Sequence, residues 1–405
     1  MTSPMKDIRI VEVAMFGFVP TAAAVLSDLG ANVIKIEHPQ TGDPVRGVDT
    51  WDIPAGFRGV TYLWEVFNRN KRSVGLDLGT DEGHQLLMEL VDVADVFLTS
   101  FLPDARQRLR IDVDDIRARN SRVIYGRGSA TGPAGPEAAQ GGFDGVAYWH
   151  RSGIGSGLVE GSGDYPPTLP GPGFGDIQSG MNLAGGIAAA LFHRERTGQA
   201  TVVDTSLLGS GLWAMQGSVA ASSVTGRQTM VRPDRSSPPN PISNIYATAD
   251  GRFISLAMLQ SDRYWPGFVE ALGAPELMHD ARFISADDRR RNAADCVKAL
   301  DERFALRSLS EWIERLAAQE GPWAVVNQVG NVFDDVQADA NGYLHRIDVG
   351  SELPLVLVGA PVQFDRAVPR IGRAPELGAH TEEVLLELGR SWEDIAELKG
   401  KGVVN

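Results

Sequence analysis

A strand–helix–strand unit near the start of the chain constrains the fold more than any other feature. Residues 8–13 are dominated by Ile and Val, as a buried strand requires, and residues 32–36 repeat that character. Between them, residues 20–29 predict a helix, with Pro20 suited to its first turn and Gly30 to its end. Because two strands joined by a helix pair in parallel, the chain is predicted to build a parallel α/β sheet.

The alternation of strands and helices continues along the chain. Residues 96–98 and 122–125 are predicted strands, and residues 113–119 a short helix between them. Residues 126–175 are rich in Gly, Pro and Ser, which predicts a long loop of the kind that often lines a site in α/β enzymes. A predicted helix of small residues follows at 177–193.

A second, smaller domain is predicted in the second half of the chain. Residues 231–240 form a Pro-rich linker. Asp250-Gly251 lies between two apolar runs, which is a strong hairpin signal, and helical segments with a capping box at Ser308 and Glu311 follow. Residues 241–330 are therefore predicted to form a small α+β domain.

Composition excludes several classes of protein. The 38 basic and 52 acidic residues give a net charge of −14, which argues against nucleic-acid and anionic-membrane partners. The single cysteine, Cys296, excludes internal disulfides and a cysteine-based zinc site and suits a reducing compartment. The seven histidines are scattered, and the longest apolar run, 183–192, is too short to span a bilayer. We expect a soluble, cytoplasmic protein without a metal site.

Asp176 is the leading candidate for chemistry. It follows Gly171, Gly173 and Gly175, which let the backbone approach a ligand closely, and it precedes the predicted helix. The side chain is either a helix N-cap, a position that Asp favours, or a carboxylate nucleophile that the helix N-terminus keeps ionised at neutral pH. The two interpretations do not exclude each other.

Basic residues concentrate in the N-terminal part of this acidic chain. They form either an exposed face with ordinary ion pairs or a site for nucleotide phosphates. The chain has no P-loop, and the first strand–helix turn lacks the G-x-G-x-x-G pattern, which argues against an NAD-dependent dehydrogenase. The basic residues are Lys35, His38, Arg46, Lys71, Arg72, Arg106, Arg108 and Arg110.

Eight segments, taken in order and spacing, resemble the class III CoA-transferases of the formyl-CoA transferase, carnitine CoA-transferase and CaiB/BaiF type. The resemblance runs nearly end to end. It implies an α/β fold with a Rossmann-like large domain built from both chain ends, 1–230 and 331–405, a smaller α+β domain between them, and an interlocked homodimer. The segments are 29–37, 42–43, 68–73 together with 76–77, 141–144, 175–176, 193–199 together with 203–204, 244–251 and 378–383.

The resemblance also implies a reaction. Asp176 would be the catalytic residue and would attack an acyl-CoA thioester, giving an aspartyl anhydride and then an aspartyl-CoA thioester. A carboxylic acid would take over the CoA, so acyl-CoA and an acid are the expected substrates and no permanently bound cofactor is expected. The loop residues Gly17, Gly173 and Gly175 would contact substrate and stabilise the oxyanions.

Five residues match the family's contacts to CoA: Phe16, His38, Lys71, Arg72 and Arg108. His38 stands in place of the more usual Arg, which weakens that phosphate contact.

The first loop departs from the family pattern, since residues 18–20 read Phe-Val-Pro where A-G-P is frequent. Gly17 stands where some members carry a polar side chain. We therefore expect a more apolar pocket mouth and a bulkier or less polar acceptor acid.

Two alternatives stay open. The same superfamily includes acyl-CoA racemases, which use a His in a Gly-His-Asp context. Here that position is Phe143, and His150 is out of register, so the proton-shuttling base would be missing. The second alternative is a CoA-binding protein without turnover, against which the presence of Asp176 argues.

Overall fold

The computed structural model describes residues 3–158, 165–228, 234–350 and 352–405. The chain divides into two compact units, Met1–Met230 with Val336–Asn405, and Val231–Asp335. Part of the predicted loop, 159–164, and part of the predicted linker, 231–233, lie outside the described residues.

Six parallel strands form the sheet of the first unit, in the order β3-β2-β1-β4-β5-β6. The prediction of a parallel α/β sheet is confirmed. The order reverses between β1 and β4, and in open sheets of this kind ligands bind outside the carboxyl ends of the strands at that point. The strands are β1 Arg9–Val13, β2 Asn32–Glu37, β3 Arg72–Gly75, β4 Val96–Thr99, β5 Ile124–Ser129 and β6 Val202–Ser206.

In the described residues of the first unit, eight α-helices precede the second unit. The longest of them, α6, begins three residues before its predicted start and ends at Thr197, where the C-cap Gly198 has a φ of 74° that suits glycine. The prediction of a loop throughout 126–175 is wrong at 126–129, which complete β5, and at the π-helical turn Gly145–His150. The helices are α1 Phe18–Asp28, α2 Tyr62–Asn68, α3 Asp81–Asp92, α4 Pro103–Arg108, α5 Val113–Arg119, α6 Phe174–Thr197, α7 Leu207–Ala214 and α8 Gln216–Thr225.

Helix α6 packs closely against α1, whose residues are all buried. A Cβ at Gly180 would lie 2.6 Å from Cβ of Thr21, so this approach requires a glycine. Because Gly180 lies one turn after Asp176, the same contact brings the first turn of α6 to the start of α1.

Residues 234–335, the described part of the second unit, contain the antiparallel sheet β7-β8-β9 and four α-helices. The predicted hairpin is confirmed, because β7 and β8 pair antiparallel around Gly251, and so is the capping box at Ser308. Cys296 is buried in the apolar core of this unit. The elements are β7 Ile245–Ala247, β8 Phe253–Leu256, α9 Ser261–Ala271, α10 Ala286–Arg291, α11 Ala293–Phe304, α12 Leu309–Leu316 and β9 Trp323–Val325.

The C-terminal segment returns to the first unit. Val384 of α14 and Ile395 of α15 pack in the same buried cluster as Val11 and Phe97 of the sheet, so residues from both chain ends share one core. Across the described ranges, no helix combines the length and apolarity needed to cross a membrane. The elements are α13 Val336–Ala340, β10 Leu344–Ile347, β11 Leu355–Val358, α14 Thr381–Glu387 and α15 Trp392–Gly400.

Candidate active site at the start of two helices

Asp176 lies against Gly17, which follows β1 and is the N-cap of α1. A Cβ at Gly17 would lie only 3.0 Å from Cβ and Cγ of Asp176, so any larger residue would displace the carboxyl group. The sheet therefore places Asp176 beyond the carboxyl end of β1, next to the point where the strand order reverses.

Asp176 is not a helix N-cap. That position belongs to Gly173, which has a φ of 71°, and Asp176 is the third residue of α6. In the described part of the chain, no hydrogen bond or ion pair engages the Asp176 carboxyl group. The capping interpretation is therefore wrong, and the carboxyl group is free for another role.

Burial raises the pKa of Asp176 to about 8, and the negative charge of the nearby Asp144 carboxylate contributes to the rise. The expectation that the helix N-terminus keeps Asp176 fully ionised at neutral pH is therefore wrong.

Asp144 also organises the loop in front of α6. Its Oδ2 accepts a 3.0 Å hydrogen bond from the Gly175 amide, and a Cβ at Gly175 would lie 2.7 Å from Cβ of Asp144. The Gly175 amide is thus not available to an oxyanion, contrary to the prediction. Gly173 packs against Phe67, since a Cβ there would lie 2.6 Å from the end of that ring.

Phe16 has a strained backbone, with a φ of 65°. The Asp43 carboxylate holds this conformation, because its Oδ1 accepts hydrogen bonds from the amides of Phe16 at 3.1 Å and Val45 at 3.0 Å. Its Oδ2 lies 2.9 Å from Lys35 Nζ. This carboxylate therefore fixes the loop that carries Gly17 to Asp176.

The ion pair of Asp43 belongs to a buried network. Lys35 Nζ also contacts Glu12 Oε1 at 2.9 Å, and the other oxygen of Glu12 lies 2.7 Å from Lys71 Nζ. Lys35 and Glu12 are fully buried. Burial by itself would lower the pKa of Lys35, but the carboxylates of Asp43 and Glu12 raise it above its ordinary value. Lys35 is therefore charged at neutral pH.

Sequence reasoning missed the structural role of this network. The sequence places Lys35 in a basic cluster and gives no direct indication of a role for Glu12. The available signal was a charged residue inside each of two apolar strands, since a buried charge needs a partner.

Three of the five predicted CoA contacts follow the carboxyl ends of neighbouring strands. Phe16 follows β1, the exposed His38 follows β2, and the exposed Arg108 ends α4, which follows β4. They lie at the same edge of the sheet as Asp176.

The other two predicted CoA contacts are engaged elsewhere. Lys71 is buried, its ammonium group bonds Glu12, and burial lowers its pKa to about 7, so it does not reach a phosphate. Arg72 begins β3, so it lies at the amino ends of the strands, away from the edge that carries Asp176. There it pairs with Glu383 and Glu387. Lys71 and Arg72 are both held in ion pairs, but Lys71 is buried and so does not belong to the exposed charged face that was the alternative.

Phe143 packs its ring edge to face on Phe16, with 5.2 Å between centroids and 85° between planes. The position that holds the His of a racemase is thus a phenylalanine packed on the residue before Gly17, and its ring cannot accept a proton. His150 lies at the end of the π-helical turn and is exposed. Among the described residues, no group of three His, Cys, Asp or Glu side chains is placed to hold a metal ion.

Comparison with known proteins agrees with this geometry. Residues 5–381 match the sequence profile of CoA-transferase family III. The chain is 31% identical over 402 residues to (R)-2-hydroxy-4-methylpentanoate CoA-transferase of Clostridioides difficile, covering 99% of each protein. It is 28% identical over 404 residues to cinnamoyl-CoA:phenyllactate CoA-transferase of Clostridium sporogenes, covering 98% of this chain and 96% of that enzyme. Its structure is similar to that of a CaiB/BaiF family protein from Brucella suis, with a TM-score of 0.80 and 26% identity over 96% of this chain and 100% of that chain.

The parallel sheet, the matched profile and these relatives define an enzyme of the CoA-transferase class. The chain belongs to CoA-transferase family III, since the profile matches nearly its whole length. The resemblance inferred from the sequence is confirmed, and so is the prediction that the protein is an enzyme.

Proposed function

We propose that the protein transfers CoA from an acyl-CoA to a carboxylic acid through covalent intermediates on Asp176. The observation that carries the proposal is the Asp176 carboxyl group, which lies at the strand-order reversal of the sheet and is engaged by no other described side chain. A carboxylate in this position is suited to nucleophilic catalysis, because it can form an anhydride and be regenerated.

Over the whole reaction cycle no proton is taken up or released. An Asp176 oxygen attacks the thioester carbon, the C–S bond breaks, and CoA leaves as a thiolate. The thiolate then attacks the aspartyl carbonyl carbon, which releases the donor acid as a carboxylate and forms an aspartyl-CoA thioester. An acceptor carboxylate displaces CoA from Asp176, and the thiolate attacks the acceptor carbonyl of this second anhydride. Acyl-CoA departs, and the Asp176 carboxylate is restored.

The amides at the start of α1 are suited to stabilise the oxyanions of these steps. Gly17, which contacts Asp176, is the N-cap of α1, and Phe18 and Val19 are the first two residues of that helix. Amides in a first helical turn have no partner within the helix and point toward negative charge. In this proposal these amides, and not that of Gly175, stabilise the oxyanions.

We propose that CoA binds along the edge of the sheet that carries Phe16, His38 and Arg108. Arg108 supplies an exposed cation for a phosphate, and His38 supplies a second polar contact. Lys71 and Arg72 have no part in this proposal, because both are held in ion pairs.

A homodimer is also part of the proposal. Helices α7 and α8 leave large apolar side chains exposed, notably Trp213 at 70% and Val224 at 87%. Apolar surface of this kind is typical of a face that another chain covers.

The covalent intermediates are tested by mass spectrometry. We expect incubation with acetyl-CoA, succinyl-CoA or 3-phenylpropanoyl-CoA to give at least one adduct, and proteolysis to locate it at Asp176. The Asp176→Asn variant should give none. An adduct on another residue, or turnover of acyl-CoA and acid without any adduct on quenching, would contradict the proposal.

The rate of adduct formation should depend on the ionisation of Asp176. Because the attacking group is the carboxylate, we expect the single-turnover rate to rise with pH and to reach half its maximum near pH 8.

In Asp144→Asn the neighbouring negative charge is absent, so the pKa of Asp176 falls and the midpoint of the pH profile moves to lower pH. Asparagine keeps an oxygen that can accept from the Gly175 amide. An unchanged midpoint in this variant would contradict the assigned cause, and Asp114→Asn, at an exposed position of α5, is the control.

A further inference from the structure

Phe143 lies in the loop that contacts the turn before Asp176 through Asp144, and its ring packs on Phe16. Phe143 precedes Asp144, which binds the amide of Gly175, the residue before Asp176. Its partner Phe16 precedes Gly17, which contacts Asp176 itself. The contact between the two rings therefore links the loop after β1, which reaches Asp176 through Gly17, to the loop that binds Gly175 through Asp144. Phe143 keeps 58% of its surface exposed, so an apolar face is available to a bound group.

The charges around Asp176 are unfavourable to a second carboxylate. Besides burial, the negative charge of Asp144 raises the pKa of the Asp176 carboxyl group. Two lysines of neighbouring strands, Lys35 in β2 and Lys71 just before β3, are buried and paired with Asp43 and Glu12. A distal carboxylate close to Asp176 would lose water beside the negative charge of Asp144, and Lys35 and Lys71 are already paired with other carboxylates.

We propose that Asp176 accepts acyl groups with an apolar side chain, aryl or branched alkyl, in preference to dicarboxylic acyl groups, and that Phe143 determines this preference. The inference rests on the proposed function, because it concerns the acyl group that Asp176 attacks. An apolar side chain gains by leaving water against the exposed Phe143 ring, whereas a charged one does not.

The test compares two thioesters with the same CoA portion. Adduct formation at Asp176 is followed by rapid quenching and mass spectrometry with 3-phenylpropanoyl-CoA and with succinyl-CoA. We expect the aryl donor to react at least about tenfold faster at subsaturating concentration. Equal rates, or a faster reaction of succinyl-CoA, would overturn the inference while leaving the proposed function intact. The absence of an adduct with both donors would overturn both.

Variants assign the preference to Phe143. Phe143→Arg should slow the aryl donor and accelerate succinyl-CoA, narrowing or reversing the ratio, and Phe143→Ala should slow the aryl donor alone. The matched control is Phe192→Arg, because Phe192 is 66% exposed and lies about 24 Å along α6 from Asp176. A ratio that stays unchanged in both Phe143 variants would refute the role of Phe143.

Discussion

Replacing Asp176 by Asn should lower the turnover number for CoA transfer by at least about a thousandfold, because an amide is a poor nucleophile and cannot form the anhydride. Calorimetric titration with CoA should give unchanged affinity, since none of the proposed CoA contacts is altered. Asp114→Asn is the matched control: it makes the same change in the first turn of another helix, at an exposed position, and should keep full activity.

The same variant separates a chemical role from a structural one through its stability. Because the folded protein raises the pKa of Asp176, the stability associated with this group is present below the unfolded-state pKa near 3.8 and is lost as the pH rises through about 8. Asn carries no charge at any of these pH values. Asp176→Asn should therefore be at least as stable as the wild type, most clearly above pH 8. An inactive variant that is also much less stable would point to a structural role.

Replacing Lys35 by Ala should be among the most destabilising single changes in the first unit. It would leave Glu12 and Asp43 buried with one cation fewer, and removing one partner from a buried pair costs about 3–5 kcal/mol. Urea unfolding followed by circular dichroism measures the loss. Lys399→Ala is the control, because its pair with Glu382 is largely exposed and should contribute less than about 1 kcal/mol. Equal losses in the two variants would show that the buried network adds little stability.

Local features of the fold were predictable because neighbouring residues determine them. The period of apolar residues and the helix-ending Gly30 predicted the first β1-α1-β2 unit, and Asp250-Gly251 predicted the β7-β8 hairpin. The capping box at Ser308 was readable for the same reason, since its two partners are three residues apart. Asp176 was found through the glycines before it and through the family resemblance.

The environment of Asp176 came from contacts between distant parts of the chain. Gly17 meets Asp176 because Gly180 lets α6 pack on α1, and no local pattern encodes that packing. The raised pKa of Asp176 follows from desolvation by those elements, which outweighed the helix N-terminus that sequence reasoning relied on. Arg72 is a second example. Its charge is evident from the sequence, but the parallel register places it at the amino ends of the strands, away from Asp176. Residue type and spacing thus determined which groups could react, and tertiary packing decided which were brought together and how far they were removed from water.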